Sequence, residues 1–379
     1  MHRSQSSIRT WFRSGDPWIW MIGGALAISL IMVIGLMTLI AVRGFGHFWA
    51  KPIAETTATV DGIETPVLGI MTRSETLPAE RIRESGQPIP QDQLLVTRYL
   101  FNIGNRDLTG RDFVWYLESA LSDLRYPDQA MMVERREWGN FYGFPEALER
   151  QGAVVASGEQ LWGELQRAIQ RANDLHDQIR RLEKVEIGAI NSAMERVRLE
   201  RRGLELRGVS GAALEAARVD LETRQTELDR RFQAIQAERT QLMELAGRDV
   251  LIARTAADRE VRIGLDNIVM ASQNNAMGLG AKLLFYGHRI KQFLTGFPRE
   301  ANTEGGIFPA IFGTVTMVLI MSVLVTPFGV LAAIYLREYA RQGVVLKLIR
   351  VSVYNLAGVP SIVFGVFGLG FFVYLLGGT

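Results

Sequence analysis

The chain has 379 residues, of which 48% are apolar and 22% are charged, a composition that fits neither a fully buried membrane bundle nor an ordinary soluble domain. The absence of cysteine excludes a disulfide framework and a thiolate metal site, and the four histidines are isolated along the chain. The formal net charge is +2, and the basic residues of the middle alternate with Asp and Glu, so no nucleic-acid-binding patch is indicated.

The first apolar run, residues 17–42, contains no charged side chain and follows a basic tail at 1–16. A run of this length exceeds the apolar core of a cleavable signal peptide, so we interpret it as a retained membrane anchor. A cleaved signal peptide is the alternative interpretation.

The distribution of charge predicts the topology of the chain. Arg3, Arg9 and Arg13 precede the first span, and the segment 337–350 carries four basic residues against one acidic residue. Short loops rich in Lys and Arg lie on the cytoplasmic side of membrane proteins. Both segments are therefore predicted to be cytoplasmic, which places residues 43–304 on the opposite side, the periplasm of a Gram-negative bacterium.

The large middle of the chain alternates between two compositions. Residues 52–156 and 248–300 combine short strand-like runs, such as 94–101, with turn signals, and they predict one α/β domain split by an insertion. Residues 157–247 are rich in charge and carry two apolar seams at heptad spacing, which predicts a helical coiled-coil hairpin. The seams comprise Leu161, Leu165, Ala168, Ala172, Leu175, Ile179 and Leu182, and then Leu214, Ala217, Leu221, Leu228, Ile235, Leu242 and Leu245.

The turn between the two seams favours an antiparallel arrangement. Gly208 is suited to end the first helix, and Ser210 is suited to cap the second. The alternative is that each seam pairs with another subunit in a parallel coiled coil. An amphipathic segment, 279–294, follows the strands that resume after the hairpin.

Two further apolar runs predict membrane spans at 305–336 and at 351–379, the latter with an entry helix. Neither run contains an acidic or basic side chain, so no proton relay or phosphate-binding arginine is indicated within them. Thr314, Ser322 and Thr326 recur at multiples of four, which predicts hydroxyl groups along one helix face. These residues are pathway candidates, and the alternative is that they hydrogen-bond to the preceding turn or to a neighbouring helix.

Proline and glycine mark special positions in both runs. Pro327 removes a backbone donor inside the second span and Gly329 adds flexibility, a pattern typical either of a hinge or of a static packing kink. Pro360 is predicted to begin the third spanning helix, whose N-terminus would present free N–H groups and a positive dipole end to an anion. A small-residue face for helix packing is predicted at Ser361, Gly365 and Gly368.

The motifs at this end of the chain resemble a known family. Asn302, Thr303, Glu304, Gly305 and Gly306 are followed by the segments 326–341 and 355–373, and this order is similar to the permease subunit of bacterial phosphate ABC importers of the PstA type. The resemblance is strong over about the last fifth of the chain. The large middle is similar to the long insert of some larger family members.

The resemblance implies a mainly α integral membrane protein, the N-terminal three spans of an ABC importer permease, with a large periplasmic α/β insert that contains the coiled-coil hairpin. It implies a non-catalytic subunit without a cofactor, in contact with the lipid of the bacterial inner membrane. The implied partners are a second permease subunit, a cytoplasmic ATPase and a periplasmic phosphate-binding protein. The chain has no Walker-type phosphate-binding loop, so ATP hydrolysis is assigned to the separate ATPase.

The family has three further spans and a cytoplasmic ATPase-docking loop that have no counterpart in this sequence, so we expect a truncated form. The leading hypothesis is a phosphate permease subunit that works by alternating access. The alternatives are a permease for another anion, and a membrane-anchored periplasmic coiled-coil scaffold or signalling protein. The insert is predicted to dock the phosphate-binding protein or the partner permease, with a structural spacer as the alternative.

Overall fold

A computed structural model describes residues 14–60, 62–84, 89–207, 211–299 and 304–377. The chain divides into two compact units, Met1–Gly306 and Ile307–Thr379. The first unit contains one long apolar helix and a domain of antiparallel sheets, residues 47–306, which we call the sheet domain. The second unit contains helices and no strand among its described residues.

The first unit opens with helix α1 (Asp16–Gly46). Pro17 occupies its first turn, where the missing N–H would have had no partner in the helix. The stretch Pro17–Gly46 is long and apolar enough to cross a membrane, and its side chains are exposed all round. A helix that is apolar on every side finds its counterpart in lipid or in other membrane helices, which supports the prediction of a membrane protein.

The first sheet of the sheet domain has five strands in the order β4-β3-β2-β1-β5, and every neighbouring pair is antiparallel. Gly62, at φ +78°, lies in the tight turn between the first two strands, a conformation that favours glycine. The strands are β1 (Ile53–Val60), β2 (Ile63–Pro78), β3 (Leu95–Asn102), β4 (Phe113–Leu117) and β5 (Leu121–Arg125).

The second sheet joins strands from both sides of the helical insertion. Its order is β10-β9-β7-β6-β11, with β8 also paired to β7. Leu148 lies opposite Leu251, and Met132 lies opposite Ser272, so chain segments about a hundred or more residues apart form one sheet. The strands are β6 (Met131–Arg135), β7 (Asn140–Arg150), β8 (Ala153–Ser157), β9 (Asp249–Arg254), β10 (Glu260–Gly264) and β11 (Ile268–Ser272).

These sheets correct two parts of the predicted fold class. Every strand pair among the described residues is antiparallel, so this part of the domain is α+β, without the parallel crossovers of an α/β unit. The two sheets also make up a large part of the chain, so a mainly α description understates the sheet. Periodicity along single strands indicates a strand without revealing the direction of its neighbour, which explains the first error.

The insertion is a pair of antiparallel helical arms. Helix α4 (Leu161–Arg181) continues through a π-helical turn (Leu182–Glu186) into α5 (Ile187–Leu206). Helix α6 (Ala212–Ala246) returns beside them. Arg239 pairs with Glu183 at 2.7 Å and Arg224 pairs with Glu200 at 3.4 Å, an order that only antiparallel arms allow. The predicted capping residues Gly208 and Ser210 lie outside the described residues. Two short helices, α2 (Ala79–Glu84) and α3 (Arg106–Thr109), precede the insertion in the chain, and α7 (Leu279–Thr295) follows it.

The first predicted seam does not serve a single interface. Leu161 and Leu165 are buried in one core with Leu251 and Ile268 of the second sheet, so the start of α4 is a helix packed on a sheet. Leu182 belongs to a separate cluster with Ile190 and Ile235, between the helical arms. In the second seam, Leu245 is 48% exposed and the adjacent Ala246 is buried instead. The regular packing of a coiled coil therefore stays a prediction.

The sheet domain ends in a short hairpin of β12 (Pro298–Arg299) and β13 (Glu304–Gly305). Gly305 has φ +93°, and a Cβ there would lie 2.5 Å from the carbonyl oxygen of Phe297. A Cβ at Gly306 would overlap the backbone of Gly296. Both glycines of the family motif are therefore required by backbone contact. Asn302 and Thr303 of the same motif lie outside the described residues.

The second unit contains α8 (Phe308–Ile334), which continues as a π-helical turn (Tyr335–Tyr339), and then α9 (Val344–Ala357). Helix α10 (Ser361–Gly368) follows and continues as a second π-helical segment (Leu369–Leu375). Phe308–Tyr339 is long and apolar enough to span a membrane, whereas the last pair of helices meets at a bend of 101° and forms either a broken span or a re-entrant loop. A single third span at 351–379 stays a prediction.

We expect Gly305→Ala to destabilise the sheet domain, since the backbone conformation alone costs about 1–3 kcal/mol for a residue with a Cβ and the methyl group also meets the Phe297 carbonyl. The measurement is the midpoint of thermal unfolding of the full chain in detergent, which should fall by several degrees. Gly287→Ala is the matched control, because Gly287 lies within α7 in open space. Equal midpoints for wild type and Gly305→Ala would contradict this account.

Candidate functional site

A buried carboxylate on β6 connects two later elements of the sheet domain, α7 and β12. Glu134, on β6, has a side chain that is 8% exposed, and it forms ion pairs with Arg289 of α7 and Arg299 of β12. A carboxylate removed from water is costly unless cations and hydrogen bonds compensate it, so one sheet residue fixes two later elements of the chain. We call these three residues the Glu134 clamp.

The segment that leaves α1 packs on the same helix as the clamp. The rings of Phe48 and Phe293 are 5.1 Å apart, and those of Trp49 and Tyr286 are 5.9 Å apart. Burial, with Arg289 and Lys51 nearby, holds the pKa of His47 below its usual range, so this imidazole is neutral at neutral pH. Helix α7 therefore contacts both the exit from α1 and, through Glu134, the hairpin that precedes α8.

A cavity of about 370 Å³ lies within this region, lined by His47, Glu134, Arg289, Arg299 and Glu304 among others. Glu304 is the charged residue of the family motif, and its strand pairs directly with Arg299. The Nε atom of Arg299 is buried and has no hydrogen-bond partner among the described residues. The motif residue is thus part of a polar network at the edge of the sheet domain.

Sequence reasoning missed the clamp because its members lie 155 and 165 residues apart in the chain. One signal was present: a glutamate directly after Met131, Met132 and Val133 interrupts an apolar strand at a position that the structure buries. A charged residue in such a strand needs a partner, which sequence spacing alone does not identify.

The hydroxyl groups predicted to line a pathway lie on α8 and are exposed within their unit. The Thr314 hydroxyl donates to the carbonyl of Ala310 at 2.8 Å, and the Thr326 hydroxyl donates to the carbonyl of Ser322 at 2.5 Å. At 3.6 residues per turn, Thr314 and Thr326 are about 120° apart, so the stripe is wider than one narrow face. These two hydroxyls already use their protons within the helix, which leaves them as acceptors towards a solute.

Pro327 lies inside α8, and the helix continues through it to Ile334. Proline has no N–H, so the carbonyl four residues earlier, that of Val323, loses its helical partner. A Cβ added at Gly329 would meet no described atom within 4 Å. The missing donor at Pro327 weakens the helix at that position, and a hinge at Pro327 and Gly329 stays a prediction.

The third apolar run breaks between α9 and α10. Pro360 is extended, at φ −56° and ψ 137°, and α10 begins at Ser361. The helix therefore begins directly after Pro360, near the position that the sequence predicts. Gly365 and Gly368 lie in open space, with no described atom within 4 Å of an added Cβ, so the small-residue face has no partner among the described residues. Helix packing at this face stays a prediction.

Three comparisons relate the chain to known proteins. No family model matches it, and no solved structure matches it. The chain is 35% identical over 86 residues to a probable ABC transporter permease protein, YqgI, of Bacillus subtilis, a match that covers 23% of this chain and 29% of the relative.

Two phosphate transport proteins show the same kind of partial likeness. The chain is 37% identical over 78 residues to the phosphate transport system permease protein PstA of Pasteurella multocida, covering 21% of this chain and 28% of that protein. It is 37% identical over 73 residues to PstA 1 of Mycobacterium tuberculosis, covering 19% of this chain and 24% of that protein. The chain spans less than a third of the length of these relatives. Partial similarity to several permeases, together with two helices suited to a membrane, supports a relationship to ABC transporter permeases.

Proposed function

We propose that this chain is a transmembrane subunit of an ATP-driven importer of inorganic phosphate. The observation that carries the proposal is the 37% identity to two phosphate transport permeases over segments of 73 to 78 residues. The two helices that are long and apolar enough to span a membrane support it, because a permease subunit must place its pathway within the bilayer.

The proposed topology follows the positive-inside rule. The N-terminus and the basic segment 337–350 lie in the cytoplasm, and the sheet domain lies in the periplasm of the bacterial inner membrane. Substrate then arrives on the side of the sheet domain. A membrane-anchored scaffold would not require similarity to permeases, and the partial matches therefore favour transport.

The proposed mechanism is alternating access. A separate cytoplasmic ATPase drives rearrangement of this subunit against a second permease subunit, and a periplasmic phosphate-binding protein delivers the substrate. Pro327 and Gly329 are the positions on α8 where the backbone change is most readily absorbed, because the Pro327 ring leaves one helical carbonyl unpaired. The helical arms of the sheet domain offer the docking surface for the phosphate-binding protein or the partner permease.

Deletion of the native gene in phosphate-starved cells is expected to abolish high-affinity phosphate uptake. Radiolabelled phosphate at micromolar concentration provides the measurement, and the native reading frame supplied in trans should restore uptake. A strain without a second phosphate importer is required, because such an importer would mask the loss.

Competition with unlabelled anions separates phosphate from other substrates in the same assay. Unlabelled phosphate should suppress uptake of the label, and sulfate should not. Unchanged phosphate uptake in the deletion strain would overturn the proposed function. Loss of sulfate uptake in place of phosphate uptake would leave an ABC permease and overturn the phosphate assignment.

Pro327→Ala is expected to slow transport, because alanine restores the N–H donor to the Val323 carbonyl and strengthens the helix at the proposed hinge. We expect the maximal rate of phosphate uptake to fall about tenfold, equivalent to about 1.4 kcal/mol in the barrier of the conformational step. Val325→Ala, an exposed position on the same helix, is the matched control. Wild-type rates in Pro327→Ala at equal expression would show a static kink.

A further inference from the structure

A basic cleft lies in the sheet domain between α4 with its following turn, α7 and the β12–β13 hairpin. Its volume is about 700 Å³, and six cationic side chains line it against one carboxylate, Asp177, among the described residues. We call it the basic cleft. Its cationic residues are Arg136, Arg180, Arg181, Lys184, Lys291 and Arg299.

Arg136 is held in place by neutral groups. Its Nε donates to the carbonyl of Asp266 at 3.0 Å, and its Nη2 donates to Oδ1 of Asn173 at 2.6 Å. The amide of Asn173 in turn donates to the carbonyl of Val269 at 2.9 Å, which fixes the direction of its oxygen. Two neutral acceptors therefore fix the orientation of the guanidinium, and neither of them is a carboxylate.

The cations of the basic cleft also act on one another. Burial, followed by the charges of Arg299 and Arg180, lowers the pKa of Arg136 to about 10, so it still carries its charge at neutral pH. Burial, followed by the charges of Arg136 and Arg180, holds the pKa of His176 below its usual range. The nearby carboxylates Asp177 and Asp266 raise the pKa of Arg136 but do not offset these effects. The positive charges around Arg136 thus outweigh the nearby carboxylates, Asp177 and Asp266.

An aromatic ring holds two more cations at the rim. The Arg180 guanidinium lies 4.9 Å from the centre of the Phe297 ring, and the Lys184 ammonium lies 4.1 Å from the same centre. Cation–π contacts position a charge without neutralising it. Arg136, Arg180 and Lys184 therefore present fixed positive charge to the same space.

We propose that the basic cleft binds a phosphate-bearing anion, with Arg136 at its centre and Arg180 and Lys184 beside it. A planar guanidinium offers two parallel donors to the oxygens of a phosphate group, and several cations together match its double charge. Among the described residues the Nη1 of Arg136 makes no hydrogen bond, so it is available to the anion. The inference stands apart from the proposed transport role, since it rests on the sheet domain alone.

Two sources can supply this chemistry. One is free inorganic phosphate, and the other is the headgroup of an anionic phospholipid. Gly306 lines the basic cleft and lies two residues before Phe308, where the candidate membrane helix begins. This closeness along the chain is the reason to test a lipid headgroup as well as free phosphate. The experiment is designed to distinguish them.

The first arm measures binding of radiolabelled inorganic phosphate by equilibrium dialysis, with the full chain in nanodiscs of neutral phosphatidylcholine. Arg136→Gln and Arg180→Gln are each expected to weaken binding tenfold or more, which is the rough effect of losing one charge-assisted hydrogen bond. Arg230→Gln, on the exposed face of α6 and paired with Glu227, is the control and should bind as wild type does. Equal unfolding midpoints show that the variants are folded.

The second arm replaces part of the lipid with phosphatidylglycerol and counts the phosphatidylglycerol molecules retained by the protein in native mass spectrometry. Retention by wild type and by Arg230→Gln, with loss in Arg136→Gln and Arg180→Gln, identifies the headgroup as the ligand. Dialysis binding with the same dependence on the two arginines identifies free phosphate. If neither anion binds, or if the control loses binding as much as the two cleft variants, the proposal is overturned.

Discussion

The burial of Glu134 is the constraint on which the rest of the sheet domain depends. A carboxylate in this position is tolerated because Arg289 and Arg299 both reach it, and loss of one partner from a buried ion pair costs about 3–5 kcal/mol. The two arginines belong to α7 and to the hairpin before α8, and α7 also packs against the aromatic residues that follow α1. One ion cluster therefore connects β6, α7 and the β12–β13 hairpin within the sheet domain.

The same cluster shapes the electrostatics around it. Arg299 contributes its charge both to Glu134 and to the basic cleft, and its proximity lowers the pKa of Arg136. The helical arms supply Arg180 and Lys184 to the other wall of that cleft. An insertion that looks like a simple spacer in the sequence thus completes a charged surface on the domain from which it projects.

Some of this structure follows directly from sequence patterns. The uncharged runs indicate membrane helices by their length, and the seam from Leu161 onwards indicates a helix because its apolar side chains recur at helical spacing. Which surface a seam packs on does not follow, because Leu165 meets a sheet whose strands come from both sides of the insertion. The antiparallel order of the strands and the partners of Glu134 depend on contacts between distant segments, and a single sequence does not encode these locally.

For the residues of the apolar helices, too, the sequence predicts some features and only the structure shows the others. The spacing of Thr314 and Thr326 locates two hydroxyls on one helix, whereas their hydrogen bonds to the preceding turn appear only in the structure. The break before Ser361 is signalled by Pro360, and the sharp bend that follows from it is a property of the folded chain. Under the proposed function, these features would be parts of a pathway through the bilayer.

The most direct test of that interpretation is transport by purified components. The native protein, its partner subunit and its ATPase are reconstituted into proteoliposomes with the phosphate-binding protein, and phosphate accumulation is followed after addition of ATP. The account predicts accumulation that requires ATP and disappears when this subunit is omitted. Accumulation that is the same without this subunit, or ATP hydrolysis by a fully assembled complex with no movement of phosphate, would contradict it.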